Sequence, residues 1–199
     1  MPKTIYIQPK YPNTFNIVYQ DVFHLKSLYI ALHFFLTEHG WSSKNGVWED
    51  PSGDERWETM FYDNRNKGNR KVWIWWRLQK PSGNSYYQYF LNVNFMFLGW
   101  KDVEVVHEGM KYKAQLGELT VFVKRWIEHD YKDKWSNHPI LKHFQPFFER
   151  RVFKQDMLNR EELLLKETNE FLGVIKDFLE QKKFIPDEEL LFEPRRKFG

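Results

Sequence analysis

Two stretches decide the fold: Val72-Trp73-Ile74-Trp75-Trp76-Arg77-Leu78-Gln79 and Tyr86-Tyr87-Gln88-Tyr89-Phe90-Leu91-Asn92-Val93-Asn94. Both are rich in β-branched and aromatic residues, and Pro81-Ser82-Gly83-Asn84 supplies turn chemistry between them. Side chains on a strand alternate between faces, so the pair reads as a hairpin. With Gln79 opposite Tyr86, the residues Val72, Ile74, Trp76 and Leu78 fall beside Val93, Leu91, Tyr89 and Tyr87. That face is apolar throughout and reads as core. The opposite face collects Trp73, Trp75, Arg77, Tyr86, Gln88, Phe90, Asn92 and Asn94.

The alternation extends outward from Arg56 to about Glu128 as six runs. Turn chemistry divides them at Asn64–Asn69, Pro81–Asn84, Gly99–Lys101, Glu108–Gly109 and Leu116–Gly117, the pattern of an antiparallel meander. The core face continues through Val103 and Val105, then Met110, Tyr112 and Ala114, then Leu119, Val121 and Val123. Glu104 and Lys113 come opposite each other on the second face, which also takes Thr120, Phe122 and Trp126.

Helical spacing flanks the sheet. Asp21 to Gly40 reads as a helix, with Asp21 as N-cap, Leu25, Leu28, Tyr29, Leu32, Phe35 and Leu36 on one side, and Gly40 as the stop. Before it, Thr4–Gln8 and Phe15–Tyr19 read as short strands or extended arms. A helix opening at Pro139, capped by Ser136 or Asn137, lines up Ile140, Leu141, Phe144, Phe147, Phe148 and Val152, with a kink or restart at Pro146. A longer helix runs from about Asn159 to Lys183 on a stripe of Leu164, Phe171, Leu172, Ile175, Phe178 and Leu179. The expected architecture is α+β: a meander sheet of about six strands with one N-terminal and two C-terminal helices packed on it. Residues 1–185 form one domain in this reading, and 186–199 an extended tail.

Composition narrows the function classes. The 199 residues contain no cysteine, which excludes disulfides, thiolate metal sites and a cysteine nucleophile. Thirty basic and 27 acidic residues leave a net charge of +3, too balanced to point to nucleic acid. The N-terminus lacks signal-peptide character and no apolar run is long enough to span a bilayer, so a cytoplasmic location is expected. The departure from ordinary composition is the 19% aromatic content, including nine Trp. Large rings build cores, but Trp and Tyr are also enriched at binding surfaces.

No motif names a reaction. The seven histidines include no i, i+4 pair, and His129-Asp130 with Asp133 is the nearest approach to a ligand set. Neither a Gly-rich phosphate loop nor a Gly-x-Ser-x-Gly elbow occurs. No cofactor or metal is expected. Basic residues cluster at Arg65, Lys67, Arg70 and Lys71, beside the strand of Trp73 and Trp75, and cations flanking rings can grip single-stranded nucleic acid. Given the near-neutral charge balance, a solvated hairpin tip is the favoured reading of them. The acidic polar side of the last helix argues against an anionic membrane. In the tail, Asp187-Glu188-Glu189-Leu190-Leu191-Phe192-Glu193-Pro194-Arg195-Arg196 sets an apolar triplet between acidic and basic groups, the make-up of a docking segment or of one that folds back on its own domain. The order helix, meander, long helix resembles in outline the helix-grip folds that hold apolar ligands.

The second face of the sheet is the functional pointer. Its rings are too many for a wet surface, and its Asn, Gln and Arg too polar for an ordinary core. The C-terminal helices cover it, or they leave a ligand pocket over it, or it awaits a macromolecule. A non-catalytic binding or adaptor protein engaging a protein, self-associating, or holding single-stranded nucleic acid is the leading expectation. A carrier or enzyme with a pocket between the sheet and the C-terminal helices is the alternative.

Overall fold

Strands β5 (Tyr87–His107) and β6 (Met110–His129) form the spine of a six-stranded antiparallel sheet in the computed structural model. The structure describes residues 12–43, 57–66, 69–84, 86–107 and 110–181. Strand β1 (Thr14–Phe23) pairs with β6, and β4 (Asn69–Pro81) pairs with β5. The far edge of β4 carries both β3 (Glu58–Asn66) and the two-residue β2 (Ser42–Ser43). Helix α1 (Leu25–Glu38) follows β1. After β6 come α2 (Leu141–Phe147), a π-helical turn (Phe148–Val152) and α3 (Lys154–Gln181). The architecture is the expected α+β one. The strands at Thr4–Gln8, the tail 186–199 and the boundary near residue 185 lie outside the described residues.

Two of the expected turns are something else. Gly99–Lys101 and Leu116–Gly117 face each other inside β5 and β6, where pairing jumps from Leu98↔Glu118 to Lys101↔Leu116. Gly99 and Trp100 therefore oppose the single Gly117, which makes a β-bulge. Gly99 adopts φ 67, and a Cβ on Gly117 would stand 2.9 Å from the Leu98 carbonyl oxygen, so each position requires glycine. Across the bulge β5 keeps its odd-numbered residues on the core face, while β6 changes parity, from Ala114 to Leu119. The six strands are completed by β1 and β2 instead.

The hairpin register also differs. Gln79 pairs with Phe90 rather than Tyr86, four residues along. An even shift preserves the faces, so Val72, Ile74, Trp76 and Leu78 still lie in the core, now beside Phe97, Phe95, Val93 and Leu91. Glu104 does stand opposite Lys113, although its ion pair is with Lys111 at 3.9 Å.

Both long helices pack on the core face. Trp76, 0% exposed, meets Tyr29 of α1 and Phe95 edge-on, and its Nε1 donates to the Tyr29 hydroxyl at 2.8 Å. Leu28, Leu32 and Leu36 of α1 join Leu164, Phe171, Ile175 and Leu179 of α3 in the same buried cluster. Polar ties fix α3 over the sheet: Lys80 Nζ to Glu167 at 2.8 Å, Trp41 Nε1 to Glu167 at 2.6 Å, and Arg160 Nη1 to the Ser82 carbonyl at 3.0 Å. Burying those apolar side chains contributes about 1.5–3 kcal/mol each, which sets the helices on this side of the sheet.

Helix starts depart from expectation for local reasons. Asp21 belongs to β1, where pairing with Gly117 competes successfully with capping. His24 caps α1 instead, its Nδ1 accepting from Ser27 N–H at 3.2 Å. At α2, Ser136 donates to Asp130 Oδ2 at 2.7 Å, so His138 Nδ1 takes the Ile140 and Leu141 N–H groups, each at 3.2 Å. Pro146 sits within α2, and the chain stays helical through it, passing into the π turn two residues later rather than restarting at the proline. Helix α3 begins at Lys154, five residues before Asn159.

Candidate functional site

Cross-strand pairing arranges the outer face in rows. One row runs Tyr62, Trp73, Met96, Thr120, Val18; the next runs Met60, Trp75, Asn94, Phe122, Asn16. A third holds Arg77, Asn92, Lys124 and Thr14, and a fourth Gln79, Phe90 and Trp126. Trp73, Trp75, Arg77, Asn92 and Asn94 thus share one surface and are all half-buried. Neither α1 nor α3 covers them, because both lie against the opposite face. The rings shelter each other: Phe90, 4% exposed, stacks on Trp126 at 5.2 Å with an interplanar angle of 13°. Gln88 is buried at the end of this face.

Arg77 and Trp75 are the chemically unfinished pair. The guanidinium lies 4.9 Å from the Trp75 ring centre, donating to Asn94 Oδ1 at 2.7 Å and the Trp76 carbonyl at 2.8 Å. No carboxylate among the described residues forms an ion pair with it. Burial lowers its pKa below the ordinary arginine value. Beside it the Trp75 indole N–H is buried and meets no acceptor among the described residues. A desolvated cation and an unpaired donor on one aromatic face cost stability that a bound acceptor would restore.

Tyr86 leaves this surface. It precedes β5 and is buried at a corner where the β6 end meets α2 and the π turn. Its hydroxyl donates to Glu149 Oε1 at 2.7 Å and accepts from Gln145 Nε2 at 3.2 Å. His129 Nδ1 stands 3.7 Å from the same carboxylate. Burial pushes the Glu149 carboxyl up, but His129 and Tyr86 pull it further down, leaving it below the ordinary value. Burial and the neighbouring Glu149 push the Tyr86 phenol well above its ordinary range. Asp130, at φ 48, accepts from the Trp135 and Ser136 N–H groups at 3.0 and 2.7 Å. The His129-Asp130-Asp133 cluster is therefore a structural corner: Asp130 serves the backbone and His129 faces Glu149.

In the basic hairpin Arg65 and Arg70 share one carboxylate, Asp63. Arg70 makes two hydrogen bonds to Asp63, at 2.9 and 2.8 Å, and lies 4.1 Å from the Trp100 ring centre. Arg65 reaches the same carboxylate at 3.2 Å. Lys71 is exposed, while Lys67 lies outside the described residues.

A different surface escaped the sequence reading. Ile140, Phe144 and Phe147 recur at helical spacing, as expected of a core stripe, but they are 61, 53 and 58% exposed. Val152 is 54% exposed, whereas Leu141 and Phe148 are half-buried, Phe148 against Trp135 and Phe153. Periodicity shows that a stripe exists; it carries no information on which side meets the core.

Compared with protein-family models, curated proteins and solved structures, the chain matches none. Among the described residues no helix is long and apolar enough to cross a membrane.

Proposed function

We propose that this is a non-catalytic binding protein whose outer sheet face holds a macromolecular partner, a protein in the first instance. The observation that carries the reading is the Arg77–Trp75 pair: among the described residues, a cation without an acid beside a buried indole N–H without an acceptor. A partner offering a carboxylate or carbonyl between apolar side chains would satisfy both and cover Trp73 and Phe122, the make-up of an interface hot spot. Engagement of Arg70, the hairpin arginine nearest Trp73 and Trp75 in the chain, by Asp63 and Trp100 favours protein over single-stranded nucleic acid. We place the protein in the cytoplasm and assign its binding to a macromolecule rather than a membrane.

Arg77→Met tests the reading, because Met keeps the apolar stem over Trp75 and removes the charge. Wild-type protein should retain a discrete partner from native lysate that Arg77→Met loses at unchanged melting temperature. Identical retention by both would sink the proposal. Binding to single-stranded oligonucleotides that falls steeply with salt would move the assignment to nucleic acid.

One observation favours a second reading. An open groove of about 410 Å³ lies at the start of α1, lined by Leu25, Tyr29, Ile30, Phe61, Ile74 and Trp100. That volume falls within the small-ligand range. Its place is between α1 and β3–β4, away from the C-terminal helices. Quenching of Trp fluorescence by a fluorescent fatty acid, abolished in Ile30→Trp, would support a carrier.

A further inference from the structure

The two edges of the sheet are built differently. Strand β3 carries Glu58, Asp63 and Arg65 and a register irregularity between Glu58 and Met60, charges and a bulge of the kind that keep other strands away. Strand β1, Thr-Phe-Asn-Ile-Val-Tyr-Gln-Asp-Val-Phe, has no Pro, Gly, Lys or Arg, and its one charge is Asp21. Long, nearly uncharged and rich in β-branched and aromatic side chains, it has the make-up of an edge that accepts another strand.

Hydrogen-bond phase identifies which of its backbone groups are open. The Arg125 N–H donates to the Asn13 carbonyl at 2.9 Å, so this is a hydrogen-bonded pair, and so is every second pair along the β1–β6 ladder. Odd-numbered residues of β1 therefore bond β6. On the other side of β6 the Asp130 N–H donates to the Tyr86 carbonyl at 2.6 Å, so its even-numbered residues bond β5, in agreement. Thr14, Asn16, Val18 and Gln20 thus turn their N–H and C=O groups to the free edge. No strand pairs with them there among the described residues, and all four are exposed. Val22 would come next, but its N–H donates to Asp21 Oδ1 at 2.8 Å, which closes the open ladder at Gln20.

An open ladder from Thr14 to Gln20 has its midpoint at Ile17. We propose that β1 pairs antiparallel with β1 of a second copy about a two-fold axis at Ile17, joining two six-stranded sheets into one. This register sets open residues against open residues, Asn16 opposite Val18 and Thr14 opposite Gln20, with two backbone bonds exchanged at each pair. On the helix side it sets Ile17 opposite Ile17 and Phe15 opposite Tyr19, half-buried apolar side chains at the rim of the core. Asp21 faces Asn13, so no like charges meet. A centre on Val18 would instead need the Val22 N–H and set Phe15 against Asp21. The open stretch of β1 is its own complement, and that selects a second copy as the occupant.

The full chain has no cysteine of its own, so single introduced thiols read the register directly. Ile17→Cys places two thiols at a non-hydrogen-bonded pair with Cα atoms about 4.5 Å apart, within disulfide reach, and should give a covalent dimer on mild oxidation. Gln20→Cys stands about 20 Å from its counterpart and should not. An equal mixture of Thr14→Cys and Gln20→Cys, both at exposed positions, should crosslink only as the heterodimer. Wild type should sediment as a concentration-dependent dimer. Val18→Pro removes an N–H that faces away from β6, so it should stay monomeric with a melting temperature near wild type. The proposal is overturned if wild type is monomeric at every concentration, as it would be were the edge taken by a foreign strand or by residues 1–11. It is equally overturned if neither Ile17→Cys nor the mixture crosslinks, if Gln20→Cys alone crosslinks as fully, or if Val18→Pro dimerises like wild type. Should Val18→Pro fail to fold, the exposed cysteine pair decides.

Discussion

Removing the Glu149 carboxylate should loosen the corner that joins the sheet to its C-terminal helices. The carboxylate is 5% exposed and accepts from the Tyr86 hydroxyl at 2.7 Å and from Gln145 at 3.3 Å, with His129 at 3.7 Å. A hydrogen bond to a charged group contributes about 1.5–3 kcal/mol, and deletion leaves the Tyr86 donor buried without its acceptor. Recovered desolvation of the carboxylate offsets part of this. Glu149→Ala should therefore cost about 2 kcal/mol, or about 4–8 °C in Tm for a chain of this length. Glu149→Gln keeps the shape and one acceptor and should cost about half as much.

The pH dependence supplies the sharper check. The folded-state pKa of Glu149 lies below its unfolded value, so its stabilisation is complete above the unfolded value, about pH 4.5. It disappears as pH falls through the lower, folded value. The melting difference between wild type and Glu149→Gln should be constant from pH 7 to about pH 5 and shrink below it. Thermal melts followed by circular dichroism at a series of pH values measure this. A Glu149→Ala protein melting with wild type at pH 7, or a Gln difference unchanged down to pH 3, would refute the account.

Other positions give simpler expectations. Gly117→Ala should lower the urea midpoint by about 1–3 kcal/mol equivalent, because the new methyl meets the Leu98 carbonyl at 2.9 Å. Trp76→Ala should cost about 3–5 kcal/mol, enough to leave the chain partly unfolded at 37 °C, whereas Trp76→Phe should remain folded; near-UV circular dichroism distinguishes them. Asp130→Ala removes the acceptor of the Trp135 and Ser136 N–H groups and leaves alanine at φ 48, so Tm should fall by several degrees. Asp130→Asn, which tolerates that backbone conformation, should fall less.

Face assignment was legible because a strand has a period of two, and any even register error leaves it intact. The sequence places Trp76 inside and Trp75 outside even with Gln79 paired four residues from its true partner Phe90. It also places the α3 stripe of Phe171, Leu172 and Ile175 in the core. The bulge was not legible: Gly99 and Gly117 each look like a turn, and their identity depends on standing opposite one another across eighteen residues of chain. Tyr86 was assigned to the outer face by extending the alternation one residue past the strand end. Its hydroxyl partner Glu149 lies 63 positions away.

The alternation of the sheet, its apolar and mixed faces, and the presence of amphipathic helices on either side can be read from residue order alone. Those are local properties, written in spacing and side-chain type. Tertiary structure decided which face the helices cover and which stripe stays wet. Leu28 and Ile175 bury against Trp76 and Phe95, leaving Arg77 and Trp75 uncovered by either helix, while the equally periodic Phe144 and Phe147 find no core surface within reach. Burial depends on what stands opposite, and that is fixed only when the whole chain has packed.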